Sequence, residues 1–528
     1  MFCSKEQRHH LKKKTVKIFG PPGTGKTTTL LNHLDRLFAK GLRPIQVAFL
    51  AFTNKAVDTA VERAKKQFLD STDEDMFNFR TLHSFCRQNF KSKPVIDPET
   101  DMVEFAEKLK LPKIRYEKHN GQAVWNDWSL RVYDKARNRL VSPIEQYKKE
   151  ENKRVVRAKY EIIINAYEQF KKNHRVDFTD MIEEYLEKAD DPSFKVLIVD
   201  EAQDLTPLQW KLVYKIAKNS DKIYLAGDDD QAIYEWNGAE VENFIDFPGR
   251  NFILNRSHRI PKKIHQYSQY ISTYIKNRVE KKFIPLKEEG SIFTYNRFID
   301  IPFKQPGSWM ILGRTNKIVY ELKEEARKLG LYFKDTNDHK SFDSNKYKAV
   351  QSWNKLISGD SIQKHEVQVL YMFINDIQHG YRSTDTKKWS SVHKEQLLDL
   401  NFLKEYGGLK AEVKNWQDMF NRNFPEKDKS YFENVVKNGT NMDEDPRILI
   451  DTIHSIKGDE ADHILLYEKS SYAASIYRKN SKAVSSEYRV WYVGVTRAKK
   501  NLHILRSNFD TTFPLCRLKN ELERLDYE

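Results

Sequence analysis

The sequence predicts an α/β fold built on parallel β-sheets. Three continuous apolar runs, at residues 47–51, 196–199 and 223–226, have the length and composition of strands that are buried on both faces of a sheet. A fourth run at 16–19 ends in a glycine-rich turn, after which leucines recur at helical spacing. This order of strand, turn and helix predicts parallel strands that are connected by helices.

The chain is long enough for several domains. With 528 residues it exceeds what one hydrophobic core can hold, and a length of about 150 residues per domain predicts three or four domains. Hydrophobic residues make up 39% and charged residues 31% of the chain. This balance favours packed cores with a hydrated surface over intrinsic disorder.

The formal net charge is +15, from 90 Lys and Arg against 75 Asp and Glu. Such an excess favours a polyanionic partner, because binding releases the counterions of the polyanion, and nucleic acid fits this description. A lysine-rich surface that serves only solubility is the alternative interpretation of the charge alone.

The three cysteines, Cys3, Cys86 and Cys516, lie far apart. Their spacing predicts neither a disulfide framework nor a zinc site and favours a reducing compartment. The sequence contains no apolar signal core and no stretch near the ~20 apolar residues that span a membrane. We therefore expect a cytoplasmic protein without a membrane partner.

The turn after the first predicted strand has the form G-x-x-x-x-G-K-T, which is typical of phosphate-binding loops. Its glycines let backbone N–H groups surround a polyphosphate at the positive end of the next helix. Lys26 is then positioned to reach the terminal phosphates, and Thr27 to ligate Mg²⁺. The residues of this predicted loop are Gly20, Pro21, Pro22, Gly23, Thr24, Gly25, Lys26, Thr27 and Thr28.

An acidic motif follows the predicted strand at 196–199. Asp200 can hold Mg²⁺ directly or through water, and Glu201 can orient and deprotonate the water that attacks the γ-phosphate. Acids in a solvated loop are the simpler interpretation, but a nucleotide hydrolase needs this second element beside its phosphate loop. After the strand at 223–226, Gln231 is placed to sense the γ-phosphate.

Two further features concern nucleic acid and domain organisation. Tyr234 and Trp236 offer flat faces for unpaired bases, a kind of stacking worth about 1–3 kcal/mol per base. Residues 87 to about 175 contain no nucleotide motif and predict a mostly helical insertion. Its aromatic residues, among them Trp125, Trp128 and Tyr133, are predicted to form its core rather than a stacking platform.

Five segments, in this order, resemble the superfamily 1A helicases of the UvrD, Rep and PcrA type: Gly20–Thr29, Phe52–Ala56, Thr81–Phe85, Asp200–Asp204 and Gly227–Ala239. The resemblance implies two RecA-like parallel-sheet motor domains, each with a mostly helical insertion. It also implies an ATP-dependent DNA helicase that uses ATP and Mg²⁺.

The resemblance divides the chain into four parts. The second insertion is shorter than those that the family usually carries. The chain also ends soon after Arg497, so we expect neither a nuclease domain nor a long tail. The expected parts are a first motor domain (1–86 and 177–255), a helical insertion (87–176), a second motor domain (256–355 and 448–528) and a small helical insertion (356–447).

The resemblance also assigns nucleotide contacts to the second motor domain. Arg259 corresponds to an arginine that reaches the γ-phosphate, and His258 stands where the family has a tyrosine that stacks on adenine. Glu460 would bind the ribose, and Arg497 would be the arginine finger. The family's adenine-reading glutamine corresponds to Gln7, which lies closer to Gly20 than in the family pattern.

The implied partner is single-stranded DNA and its junctions with duplex, with movement from 3′ to 5′. The turn Thr452–Lys457 would couple DNA to the nucleotide, while Asn237 stands where an arginine is usual and removes a possible phosphate contact. The expected DNA-binding residues are Phe52, Thr53, Asn54, His83, Tyr234, Trp236 and His454.

Two alternatives stay open at the level of sequence. One is a nucleotide-gated translocase or DNA-binding module that remodels protein–DNA complexes without separating strands. The other is an RNA-directed motor, since flat base faces are common to both polymers. Both share every predicted ATPase residue, and the sequence predicts no particular protein partner.

Overall fold

The computed structural model describes residues 4–51, 54–68, 72–89, 93–119, 122–172, 175–374, 377–379, 381, 383, 387–390, 392–410, 415–420, 424–470, 481–509 and 511–525. Over these ranges, no helix combines the length and the apolar character needed to cross a bilayer. The cytoplasmic location stays a prediction.

The first half of the chain contributes one six-stranded parallel sheet, in the order β3-β2-β6-β7-β1-β8. Because β6, β7 and β1 are neighbours, the loops at their carboxyl ends meet at one edge of the sheet. The other two strands, β4 and β5, pair as an antiparallel hairpin. The strands are β1 (Thr15–Phe19), β2 (Val47–Ala51), β3 (Phe79–Thr81), β4 (Tyr116–His119), β5 (Gln122–Trp125), β6 (Val196–Val199), β7 (Lys222–Gly227) and β8 (Arg250–Ile253).

Helices cover both faces of this first sheet, and others form the insertion. The helix Pro207–Lys218 shows how the local sequence sets its start, because Thr206 and Gln209 form a reciprocal capping box and Pro207 occupies the first turn. The sheet helices are Lys5–Lys14, Lys26–Phe38, Asn54–Gln67, Leu82–Asn89, Phe178–Lys188, Pro207–Lys218 and Glu242–Ile245, and the insertion helices are Asp101–Lys108, Trp128–Asn138, Pro143–Lys149 and Arg157–Lys172.

The core of the first domain lies on both faces of the sheet. Leu50, Leu197 and Leu225 pack on one face, whereas Phe49 and Ile198 pack on the other, and all five are fully buried. This alternation explains why the strands have continuous apolar sequences: both faces are covered by helices.

The second half of the chain forms a second six-stranded parallel sheet, in the order β11-β14-β10-β15-β16-β9. The two sheets confirm the predicted fold class. A short antiparallel pair, β12 with β13, lies in the second insertion. The strands are β9 (Ser291–Tyr295), β10 (Trp309–Gly313), β11 (Phe333–Lys334), β12 (Ile362–Gln363), β13 (Leu397–Leu398), β14 (Ile448–Thr452), β15 (Ala461–Tyr467) and β16 (Ala498–Leu505).

The helices of the second half divide between its sheet and the second insertion. The sheet helices are Lys262–Ser272, Asn316–Lys328, Ser481–Val495 and Leu515–Leu525. The insertion helices are Ser344–Ile357, Lys364–Tyr371, Leu400–Glu405, Trp416–Met419 and Glu426–Lys437.

The second insertion has its own aromatic core, and this core begins earlier in the chain than residue 356. Tyr332, Phe342 and Trp353 all pack into it with Phe424. The apolar face of the helix Ser344–Ile357 therefore belongs to the insertion and not to the second sheet. The other expected domain limits stay predictions.

The segment after β3 is helical. We predicted a short strand-like turn over residues 80–85, but β3 ends at Thr81 and the helix Leu82–Asn89 follows at once. Leu82, Phe85 and Cys86 recur at helical spacing and pack into the first core, which explains why a helix forms.

The first insertion is anchored to the first domain by a buried ion network. Arg137 donates to Asp177 over 2.8 Å, to Glu183 over 2.6 Å and to Asp180. Trp125 and Tyr133 are buried in the insertion's core, as predicted.

Candidate functional site

The phosphate loop joins β1 to the helix Lys26–Phe38. Gly23 and Gly25 have φ values of 72° and 74°, in the left-handed region that favours glycine. A Cβ atom at Gly20 would lie 2.0 Å from the Lys26 side chain, so the loop has room only for backbone there. Lys26 Nζ donates to the Gly20 carbonyl over 3.0 Å and thus lies over the loop, where terminal phosphates would bind.

The residues present fit a magnesium ion. Thr27 Oγ1 donates to Asp200 Oδ2 over 2.6 Å, which brings together a hydroxyl and a carboxylate, both oxygen donors that Mg²⁺ prefers. Asp200 is buried at the end of β6. Burial, followed by the charge of Glu201, raises the pKa of Asp200 to about 6, and a divalent cation beside it would relieve both effects.

Glu201 has the features of a general base. Its backbone is left-handed, with φ 52°, and its Oε2 accepts a 2.6 Å hydrogen bond from Gln203. Burial acts to raise the pKa of Glu201, but the charges of Lys26 and Lys457 outweigh it and the pKa is lowered. The carboxylate is therefore ionised at neutral pH and able to accept a proton.

Arg497 from the second domain reaches the first domain at this site. It follows the helix Ser481–Val495 and is 2% exposed, and its Nη2 donates to Gln231 Oε1 over 2.6 Å. Burial, and next the charge of Arg259, lower the pKa of Arg497 to about 9. Two guanidinium groups thus face the same cleft, where a polyphosphate would stabilise both.

The segment Ser257–Arg259 lies directly against the phosphate loop. Ser257 Oγ donates to the Pro22 carbonyl over 2.9 Å, and the His258 N–H donates to the Gly23 carbonyl over 2.8 Å. The His258 side chain is exposed, which is compatible with stacking on a base. We expected Glu460 to bind the ribose. In the structure, Glu460 instead accepts a hydrogen bond from Arg259 Nε.

Gln7 lies away from this cleft. Its side chain accepts a hydrogen bond from the Ser4 N–H, and it lines a separate cavity with Leu11, Lys211 and Tyr214. None of these residues belongs to the phosphate loop, so the structure does not place Gln7 as an adenine contact.

A second cross-domain contact was not predicted from the sequence. Lys457 Nζ from the second domain donates to Asp204 and, over 2.8 Å, to the Gln231 carbonyl. Gln203 joins Asp204 to Glu201 through hydrogen bonds of 3.0 and 2.6 Å. Gln203 and Lys457 lie within segments that carry the family resemblance, but only the fold shows that they are neighbours.

Another cross-domain cluster pairs three carboxylates with cations. Asp228, Asp229 and Asp230 are fully buried, and Lys281 Nζ lies 2.5 Å from Asp229 and 2.9 Å from Asp230. Arg278 adds a bidentate pair with Asp230, with hydrogen bonds of 2.7 and 2.6 Å. These contacts fix the second domain beside the Gln231 loop.

A cavity of about 700 Å³ opens between the first domain and its insertion. It is lined by four of the predicted DNA-binding residues, Asn54, His83, Tyr234 and Trp236. Burial lowers the pKa of His83 to about 4, so this ring is neutral at pH 7. Lys457 Nζ lies 4.9 Å from the Tyr234 ring, and Tyr234 thereby connects the cavity with the nucleotide cleft.

The other three predicted DNA contacts are Phe52, Thr53 and His454. Phe52 and Thr53 are outside the described residues. His454 is 2% exposed and is not among the residues that line the cavity. The lining also includes residues that were not predicted as contacts, among them Arg131 and Phe178, which is 44% exposed. Trp128 lines the cavity as well and at the same time packs against the insertion core, where we expected it.

Together, the fold and the cleft define a phosphate-loop protein whose nucleotide site is completed by a second parallel-sheet domain. Two family models match the chain: the UvrD/REP helicase N-terminal domain over residues 3–250 and the UvrD-like helicase C-terminal domain over residues 144–508. The second match covers more than half of the chain. The chain belongs to the UvrD-like helicase family.

Curated relatives agree with this assignment. The chain is similar to the ATP-dependent DNA helicase PcrA of Bacillus subtilis, with 24% identity over 86% of this chain and 64% of the relative. It is also similar to a probable DNA helicase II homolog of Mycoplasma genitalium, with 22% identity over 92% of this chain and 82% of the relative. A PcrA of Staphylococcus aureus is 27% identical over 50% of this chain and 38% of that protein. The chain thus spans less than two thirds of the length of several relatives.

Proposed function

We propose that the protein is an ATP-driven motor that moves along single-stranded DNA and separates duplex. The observation that carries this proposal is the hydrogen bond between Arg497 of the second domain and Gln231 of the first. It supports the proposal because it brings a guanidinium group of one domain beside Gln231 of the other, next to the proposed phosphate site. Hydrolysis can therefore change the relative position of the two domains.

In the proposed reaction, each domain supplies different groups. Lys26 binds the terminal phosphates, and Glu201 accepts a proton from the attacking water. Gln231 senses the γ-phosphate, while Arg259 and Arg497 stabilise charge on it. Mg²⁺, held by Thr27 and Asp200, would neutralise charge on the phosphate oxygens.

ATP binding closes the cleft because arginines of the second domain attract phosphates that the first domain holds. Hydrolysis and phosphate release remove this attraction, and the cleft opens. The closed arrangement of the domains binds ATP more tightly than the open arrangement does, and this preference is lost with the products. The difference in affinity supplies the energy for domain movement.

DNA would occupy the cavity beside Tyr234 and Trp236. The contacts from Tyr234 through Lys457 and Asp204 to Gln203 and Glu201 give a physical route by which a base in the cavity affects hydrolysis. Movement from 3′ to 5′ is proposed on the family resemblance, as is a preference for junctions.

A second candidate is a translocase that displaces bound proteins without unwinding. Residues 356–447 contain 13 Lys and Arg against 15 Asp and Glu, which gives this insertion no excess of positive charge to attract a duplex. An RNA-directed motor shares the same cleft and is an outcome of the test below.

The test is ATPase activity and strand separation, measured together on duplexes that carry a 3′ or a 5′ tail. We expect stimulation by single-stranded DNA, unwinding from the 3′ tail, and loss of both with Lys26→Ala. The matched control is Lys40→Ala, an exposed lysine just beyond the end of the same helix.

Other results would favour one of the two alternatives or overturn the proposed nucleotide site. Stimulation by RNA alone would favour the RNA-directed motor, and translocation without strand separation would favour the second candidate. DNA-stimulated ATPase activity in Lys26→Ala would overturn the proposed nucleotide site.

A further inference from the structure

Positive charge is distributed unevenly between the two insertions. Residues 87–176 contain 21 Lys and Arg against 13 Asp and Glu, whereas residues 356–447 contain 13 against 15. The first insertion thus carries about half of the chain's net charge of +15. By its net charge, the first insertion therefore attracts a nucleic acid more strongly than the second does.

Within the first insertion, the exposed cations concentrate in one segment, residues 148–159. Lys149 and Arg157 pair with carboxylates one helical turn away, over 2.7 and 2.9 Å. Across the residues that the structure describes, the other four cations of the segment have no carboxylate within ion-pair distance, and all four are exposed: Lys148, Lys153, Arg154 and Lys159.

This basic segment adjoins the cavity in which we place single-stranded DNA. Glu150, in the segment, lines the cavity and pairs with Lys135 over 2.8 Å. Arg131 also lines the cavity, and burial together with the charge of Arg154 lowers the pKa of Arg131. The two guanidinium groups are therefore close enough to repel each other, and a phosphate between them would remove that repulsion.

We propose that residues 148–159 bind the phosphate backbone of a DNA duplex at the point where its single-stranded tail enters the cavity. The segment contains no aromatic residue, so it offers unpaired bases no face for stacking. Its exposed cations can contact phosphates, which a duplex presents while its bases are paired. The inference rests on the proposed function, because it assumes a single strand in the cavity.

The test compares two triple variants by their binding to a tailed duplex and to a single strand over a range of salt concentrations. One removes Lys148, Arg154 and Lys159 by substitution with alanine. The other, a control with the same change in charge, removes Lys108, Lys113 and Lys195, which are exposed and paired with Glu104, Glu99 and Asp221.

We expect the first triple variant to bind the tailed duplex about tenfold more weakly at low salt, with a salt dependence reduced by about two to three phosphate contacts. Its binding to the single strand should match that of the control, as should its unfolding temperature. Equal losses for both DNAs, or no loss for the duplex, would overturn the inference. Failure of the unaltered protein to bind single-stranded DNA would instead overturn the proposed function.

Discussion

The two domains are built on similar parallel sheets, but they carry opposite charges where they meet. The first domain presents carboxylates at the ends of β6 and β7, including Asp204 and Asp229. The second presents cations that are almost as deeply buried, including Lys281, Lys457 and Arg497. The buried aspartates Asp204, Asp229 and Asp230 are thus paired with cations of the second domain.

This difference shows that the interface is itself part of the site. Burial alone would lower the pKa of Lys281, but the three aspartates raise it instead. A buried charge without its partner is strongly destabilising, so the closed arrangement of the domains and the ionisation of these groups depend on each other.

The largest effect is expected from Arg497→Ala. Removing the guanidinium group that contacts Gln231 should lower kcat for ATP hydrolysis by about 10³–10⁵-fold with little change in ATP affinity. Single-turnover hydrolysis and nucleotide binding measure the two quantities. Lys500→Ala is a suitable control, since its side chain is 63% exposed and pairs with Asp462. Undiminished turnover would exclude Arg497 as an arginine finger.

A large loss of stability is expected from Lys281→Ala. It leaves Asp228, Asp229 and Asp230 without their buried lysine, which should lower the free energy of unfolding by about 3–5 kcal/mol. Denaturant unfolding measures this, with Lys282→Ala, 92% exposed, as the control. The double variant with Asp229→Asn should lose less than the sum of the single changes; strict additivity would show that the two residues do not interact.

A smaller effect, on DNA binding, is expected from substitution of Trp236, which lies at an apolar part of the interface. Trp236 lines the cavity in which we propose that DNA binds, and it packs against the core of the second domain. Trp236→Ala should weaken binding of single-stranded DNA by about 1–3 kcal/mol, as fluorescence anisotropy would measure. Trp236→Phe retains a flat ring and should recover part of the loss, whereas equal losses in both variants would argue against stacking.

The smallest effect is a pH dependence of the free energy of unfolding. It arises from His503, inside the second domain and away from the interface. His503 is fully buried, and burial followed by the charge of His463 lowers its pKa to about 3. An unfolded histidine takes up a proton near pH 6.5, so the unfolded chain binds more protons between pH 3 and 6.5. Stability should therefore fall by about 1 kcal/mol between pH 7.5 and 5.5, as denaturant unfolding would measure, and the fall should be smaller in His503→Asn. The same fall in both proteins would contradict the prediction.

Local sequence was enough to predict the strands and the phosphate loop. The runs at 47–51 and 196–199 form β2 and β6, because a strand buried on both faces requires continuous apolar residues. The spacing of Gly20, Gly25 and Lys26 is itself a condition for surrounding a phosphate. These features depend on neighbouring residues alone.

Contacts between distant residues could not be predicted in this way. Asp204 and Lys457 are separated by 253 positions and meet only because two separate sheets pack together. The burial of His454, the position of Gln7 and the helix that contains His83 likewise depend on packing against other elements. A sequence pattern shows which face of a helix or strand is buried. It does not show which distant element packs against that face.

Two hydrogen bonds, from Ser257 to the Pro22 carbonyl and from the His258 N–H to the Gly23 carbonyl, join the second half of the chain to the phosphate loop. Both bonds must break if the domains are to separate, and breaking them frees the loop. In the motor that we propose, departure of the spent nucleotide and reopening of the domains would therefore be a single coupled step.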